Sequence, residues 1–440
     1  MKNKISTYIL NSALGLVALF ITQACAPKID DYTPSTGTQA NFDKYIAVGN
    51  SLTAGYADDG LYLEGQKVAY PNLIAQQLQQ LGKAKDFNSP FFPEGMENGS
   101  GYLQLVDLVN GQPVLNKVNS NLAYTDETKK RLQKYTDDIT NLGMPGMRMD
   151  MSVSPLLGIP EHGNLYFERV LNENQEGVVS YLEYAATKEH TFFTFWLGNN
   201  DVLGYATNGA VEEGPTSTLT DIETFTYVLN EFLEKLTAEN QKGAIATIPD
   251  VTAIPFLTTV TKDALLAGVN AQNPPQPITD LYIATKSGVR EAANEDMFVL
   301  PFSTAGLLGQ PNEQGIPYGL HPLNPIEDKY VLDSEEAATV SAHVKALNQV
   351  IKEQAQSRDL ALVDTYTFLN RVKAGIIIND MPVNGTFIQG NAFSLDGVHL
   401  TPLGNAIVAN LFIEAINKNF KSSIPKVDVT NYGGVKFPNN

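Results

Sequence analysis

Short apolar runs alternate with amphipathic helical patterns along this chain, and that alternation restricts its fold more than any other feature. Tyr45-Ile46-Ala47-Val48, Phe192 to Leu197, Gly243 to Ile248 and Leu360 to Val363 are apolar almost throughout and too short for helices. Such runs read as strands covered on both faces. Asp138 to Asn141 is a weaker candidate, second in chain order. Tyr70-Pro71 opens a helix through Leu78, with proline in its first turn. Thr220 and Glu223 form a capping-box pattern ahead of the stripe Ile222, Phe225, Leu229, Phe232 and Leu236. Asp333 and Glu336 precede the stripe Ala337, Val340, Val344, Leu347 and Ile351, and Thr401-Pro402 opens a last helix through Ala415. Strands separated by helices in this way make βαβ units, so the chain is expected to be α/β with a mostly parallel sheet. No repeat of about 20 to 50 residues is present, which excludes solenoids and propellers.

Two stretches interrupt the alternation. Gly82 to Tyr135 and Thr258 to Tyr330 are rich in Asn, Gly and Pro, and read as loop-rich insertions in one domain spanning 42–420. The final segment, 421–440, reads as an irregular tail.

The beginning of the chain looks like an address. Lys2 and Lys4 precede an apolar run from Tyr8 to Ile21, too short to cross a bilayer core of roughly 30 Å. The run ends at Thr22-Gln23-Ala24-Cys25, which resembles the lipobox of bacterial lipoproteins. That resemblance implies a signal peptide over 1–24, a lipid on Cys25, and a place in the cell envelope, with the outer membrane the first choice. Residues 25–41, polar and rich in Pro, Thr and Ser, read as a flexible tether.

Composition removes several classes of function. A formal charge of −18 excludes a nucleic-acid partner, because neutralising phosphates needs a basic face. Cys25 is the only cysteine, so no disulfide closes within the chain. The five histidines form no H-x-H or H-E-x-x-H pair. Neither a metal nor an organic cofactor is expected.

Four polar clusters each follow one of the strands. Gly49-Asn50-Ser51-Leu52 follows the first, Gly143-Met144-Pro145-Gly146 the second and Gly198-Asn199-Asn200-Asp201 the third; Asp396-Gly397-Val398-His399 lies beyond the fifth. Singly each is weak: a serine there is commonly a helix cap, and Asn or Asp often ends a strand. Together they lie where open α/β sheets bind ligands, at the carboxyl ends of the strands.

Ser51, Gly146, Asn200 and His399, in that order, resemble the four signature residues of the SGNH hydrolases, also called the GDSL esterase/lipase family. Asn50 stands where Asp is commoner, and Gly143 competes with Gly146 for the second signature. The resemblance implies a flavodoxin-like three-layer α/β/α sandwich with a five-stranded sheet of order 2-1-3-4-5. It also implies hydrolysis of carboxylic esters through an acyl-serine: Ser51 as nucleophile, His399 as base, Asp396 as its orienter. The oxyanion would be held by the N–H groups of Ser51 and Gly146 and the Asn200 amide.

Small acyl or lipid esters are the first expected substrates and O-acetyl groups on glycans the second. A catalytically silent binding lipoprotein is the rival from another class. A nucleotide-binding flavodoxin relative lacks the G-x-G-x-x-G fingerprint. Met144, Met147, Met149 and Met151 lie beside the second cluster, either as core filling or as a pliable wall for an acyl chain. Asp58-Asp59 reads as a solvated turn, Trp196 as core, and the remaining histidines as surface or loop residues.

Overall fold

The computed structural model describes residues 33–438, apart from 110, 111, 127, 129, 161 and 273. The signal segment 1–24, Cys25 and the tether as far as residue 32 lie outside the described residues.

Five strands form the central sheet: β1 (Tyr45–Gly49), β2 (Asn141–Gly143), β3 (Phe192–Trp196), β4 (Lys242–Ala246) and β5 (Ala361–Val363). They pair in parallel in the order β5-β4-β3-β1-β2, which is the expected 2-1-3-4-5. Pleating sends alternate side chains to opposite faces. Ile46, Val48, Phe193, Phe195 and Ile245 enter one core, and Tyr45, Ala47, Phe192, Trp196 and Ala244 the other. Both faces are buried, which is why these runs carry almost no polar residues.

Six helices matter for the site: α1 (Tyr70–Gln80), α2 (Asn200–Thr207), α3 (Ile222–Leu236), α4 (Ser334–Ser357), α5 (Thr365–Ala374) and α6 (Pro402–Phe420). Leu73, Ile74 and Leu78 of α1 pack with Ile407, Phe412 and Ile416 of α6 on one face. Phe225, Leu229 and Phe232 of α3 pack with Val340, Val344 and Leu347 of α4 on the other. Each such side chain, fully buried, contributes about 1.5–3 kcal/mol. The capping box of Asp333 and Glu336 forms, and Thr401 Oγ1 accepts the Gly404 N–H at 3.0 Å.

Two boundaries differ from the sequence reading. The second strand runs over Asn141–Gly143, not Asp138 to Asn141, because pairing with β1 (Ala47 opposite Asn141, Gly49 opposite Gly143) sets it. Helix α3 is capped by Asp221, whose Oδ1 accepts the Glu223 and Thr224 N–H groups at 2.8 and 3.0 Å. Thr220 turns inward and donates to Asp201 at 2.7 Å.

The insertions contain regular structure. Within the first, Tyr102–Val109 and Gln112–Val118 form an antiparallel hairpin. Its Leu103, Leu105 and Leu115 pack around Ile388 and Leu395. The second insertion holds a helix, Lys262–Asn270, and a hairpin, Tyr282–Thr285 with Gly288–Glu291. Ile283, Phe298 and Ile326 from it join the core beneath α3 and α4.

The tail has no strand or α-helix among its described residues, yet it is fastened to α6. The Asn410 amide bonds both the N–H and the carbonyl of Val427, and Asn417 does the same for Ile424. Ser35 and Ser423 exchange backbone hydrogen bonds, so the stretch ahead of β1 is pinned rather than free at that point. Among the described residues, no helix is long and apolar enough to cross a membrane.

Candidate active site

The sharp exit from β1 presents Ser51. Asn50 caps the helical turn Ser51–Ala54, its Oδ1 accepting the Leu52 N–H at 3.2 Å, so Ser51 is the first residue of the turn and not its cap. The Ser51 Oγ lies 2.9 Å from His399 Nε2, and His399 Nδ1 lies 2.9 Å from Asp396 Oδ2. Residues 348 positions apart in sequence thus meet in one hydrogen-bonded chain. The Tyr56 ring packs on the His399 ring, with centroids 4.7 Å apart.

Asp396 is held as an anion. Its Oδ1 accepts the N–H groups of Val398 and His399, both at 2.8 Å, and its Oδ2 accepts that of Asp59 at 3.0 Å. Burial alone would push the carboxyl up. The His399 ring and these N–H donors outweigh burial and hold it well below the usual carboxylate range.

The two candidate glycines differ. Gly143 sits inside β2, where an added Cβ would come 2.2 Å from the Ala54 nitrogen, and its N–H donates to Asn141 Oδ1 at 3.1 Å. Gly146 has φ +76, a conformation that favours glycine, and its N–H has no protein acceptor among the described residues. The Ser51 N–H is likewise free of a described acceptor. Asn200 Nδ2 donates to Met147 O at 2.9 Å, which ties the Gly146 loop to the start of α2 and leaves the second amide hydrogen available.

A buried network fixes that loop. Asp201 accepts the Met149 N–H at 2.9 Å and the Thr220 hydroxyl at 2.7 Å, while Arg148 Nη1 donates to the Asn200 carbonyl at 3.0 Å. Burial pushes the Asp201 carboxyl up to about 6, against the bonds from Met149 and Thr220.

Ser51, Asn200 and His399 all line one pocket, whose remaining wall is chiefly apolar and includes Trp196, Leu203, Val251, Phe368, Leu369 and Phe393. Asn199 also lines it, with both amide atoms buried and without a protein partner. Gly146 is not part of the lining; its neighbour Met147 is tied to the lining residue Asn200.

Comparison with known families gives a match to GDSL-like lipase/acylhydrolase over residues 45–412, nearly the whole described chain. The chain belongs to the GDSL-like lipase/acylhydrolase family. It is therefore an ester-bond hydrolase. None of the curated proteins matches it. Among solved structures, it resembles an acetylxylan esterase from Geobacillus stearothermophilus at 11% identity, covering 86% of this chain and 95% of that one, with a TM-score of 0.33. An extracellular lipase from Streptomyces rimosus matches at 10% identity over 86% and 99%, with a TM-score of 0.33. A possible lipase from Chitinophaga pinensis matches at 12% identity over 85% and 98%, with a TM-score of 0.29. Scores this low say nothing about substrate.

Several sequence expectations are corrected in this GDSL hydrolase. Of the two readings of the methionines, Met144, Met147 and Met149 follow the core-filling one: they are buried in the core beneath α3 and α4 and do not line the pocket. Trp196 is core as expected, but it also faces the pocket while its Nε1 donates to Thr247 O at 3.1 Å. His190 lies in a loop yet is buried, with both ring nitrogens against the Lys188 and Leu236 carbonyls. Asp58-Asp59 is no plain solvated turn, because Asp59 N–H reaches Asp396 and Asp58 reaches Leu395. Neighbouring acids resemble a surface turn in sequence, and nothing there reveals the distant loop they hold. Among the described residues, no group of three His, Cys, Asp or Glu is placed to hold a metal ion.

Proposed function

We propose that this GDSL hydrolase is a serine esterase for aliphatic acyl esters. The observation that carries the proposal is the unbroken Asp396–His399–Ser51 chain opening on a chiefly apolar pocket. A serine hydroxyl becomes a usable nucleophile only when a neighbouring base removes its proton. His399 Nε2 takes that proton as Ser51 Oγ bonds to the ester carbonyl carbon. The carbonyl electrons move onto oxygen, which the free N–H groups of Ser51 and Gly146 and the second Asn200 hydrogen stabilise. The oxyanion collapses, the C–O bond to the alcohol breaks, and His399 returns its proton to the leaving alkoxide. Water, deprotonated by His399 in turn, attacks the acyl carbon; the bond from that carbon to Ser51 Oγ breaks, His399 returns the proton to Oγ, and the acid leaves.

Asn200→Ala tests the oxyanion arrangement. It is expected to lower kcat by about 10²–10³-fold. KM is expected to change little, because the donor acts where charge develops. Near-normal turnover would remove Asn200 from the mechanism.

The pocket makes a second expectation. Each methylene moved from water into it is worth about 0.8 kcal/mol, or roughly fourfold in kcat/KM. On 4-nitrophenyl esters of increasing acyl length, kcat/KM is expected to climb from acetate until the pocket fills. A maximum at acetate would reject the aliphatic reading and favour O-acetyl groups on glycans. No turnover of any ester, with no fluorophosphonate labelling of Ser51, would instead favour a silent binding protein.

A further inference from the structure

The segment after the nucleophile turns back onto the loop that carries the base. Asp58 and Asp59 are consecutive left-handed residues, with φ 54 and 59. This conformation costs a non-glycine residue roughly 1–2 kcal/mol, least for Asp and Asn. The turn makes three hydrogen bonds to Ser394–Asp396. Asp58 N–H donates to Ser394 Oγ at 3.0 Å, Leu395 N–H donates to Asp58 Oδ1 at 2.9 Å, and Asp59 N–H donates to Asp396 Oδ2 at 3.0 Å. The other carboxylate oxygen of Asp58 accepts the Tyr62 hydroxyl at 2.7 Å, and its carbonyl accepts the Leu103 N–H at 2.6 Å from the base of the first hairpin.

We propose that Asp58 is a positioning residue for the esterase reaction: through Leu395 and the Asp59 N–H it fixes Asp396, and through Asp396 the His399 ring, against Ser51. The proposal rests on the triad reading above. Asp58 itself faces the backbone of the loop, not the pocket, and contacts neither Ser51 nor His399 by hydrogen bond. Its effect is geometric. The turn belongs to the same segment as Ser51, so it measures the distance from nucleophile to base from the nucleophile's own side. If the clasp were released, Asp396 would keep its local bonds from Val398 and His399 but lose its tie to the segment carrying Ser51. A misplacement of about 1 Å at such a site costs up to a hundredfold in rate.

Two variants isolate the side chain from the backbone. Asp58→Gly accepts the left-handed conformation and removes the carboxylate; Asp58→Asn also tolerates that conformation and keeps an oxygen to accept the Leu395 N–H. On the full chain, with active sites counted by fluorophosphonate labelling carried to completion, D58G is expected to lose on the order of ten- to a hundredfold in kcat per site. Its KM for 4-nitrophenyl butyrate should stay unchanged, and D58N should recover most of the rate. Wild-type kcat per site in D58G, even with a lowered Tm, would overturn the proposal, as would D58N falling as far as D58G. If D58G does not fold, Tyr62→Phe, which frees one carboxylate oxygen, should lower kcat at constant KM; an unchanged kcat there would also overturn it. A wild-type chain that neither labels nor turns over esters would reject the triad reading itself, a result distinct from these.

Discussion

Exchanging Ser51 for alanine is expected to reduce kcat on short-chain nitrophenyl esters by about a million-fold. Among the described residues the removed hydroxyl hydrogen-bonds only with His399, at 2.9 Å, and Ser51 is the first residue of a turn capped by Asn50, so neither the cap nor the core is disturbed. The variant should melt with the wild type and fail to react with a fluorophosphonate. What remains should be the modest acceleration that donors and binding give without a nucleophile, roughly 10³–10⁴ over water. Full-rate hydrolysis by a folded S51A protein would mean that another group attacks the ester.

Asp396→Asn is expected to cost about 10⁴ in kcat, although it is almost isosteric. The carboxylate accepts from three backbone N–H groups and from the His399 ring at once. An amide in its place must turn its NH2 toward one of those donors or toward His399 Nδ1. In the second case the ring proton moves to Nε2, which then has no lone pair for the Ser51 hydroxyl. The same residue predicts a pH effect on stability. Its folded pKa lies below the unfolded value, so its contribution is fully present above about pH 3.9 and is lost as pH falls through the folded value. The Tm gap between wild type and D396N should therefore be widest near neutrality and close under strong acid. Melts showing a constant gap down that range would contradict the assignment.

Much of this architecture is legible in the chain because the physics that builds it is local. Phe192 to Trp196 must be a doubly covered strand, since no helix that short buries both sides, and Thr401-Pro402 can hardly begin anything but a helix. The four polar clusters are legible for the same reason, each following a recognisable strand. What depends on distant partners is not. Strand β2 is three residues long and takes its register from β1, so composition misplaced it by several positions. Thr220 and Asp221 are both good caps, and only the demand of buried Asp201 for a hydroxyl decides between them. Met144, Met147 and Met149 sit next to the Gly146 loop in sequence but are buried in the opposite side's core, while the pocket wall is assembled from residues as far apart as Trp196 and Phe393.

The pairing of Ser35 with Ser423 holds Ser35 beside the last turn of α6. Ser423 lies just past the end of α6, whose other end begins beside His399, and a helix of 19 residues is about 28 Å long. A force applied at Ser35 would therefore load the end of α6 farthest from His399, and the rest of the helix would stand between that load and the triad.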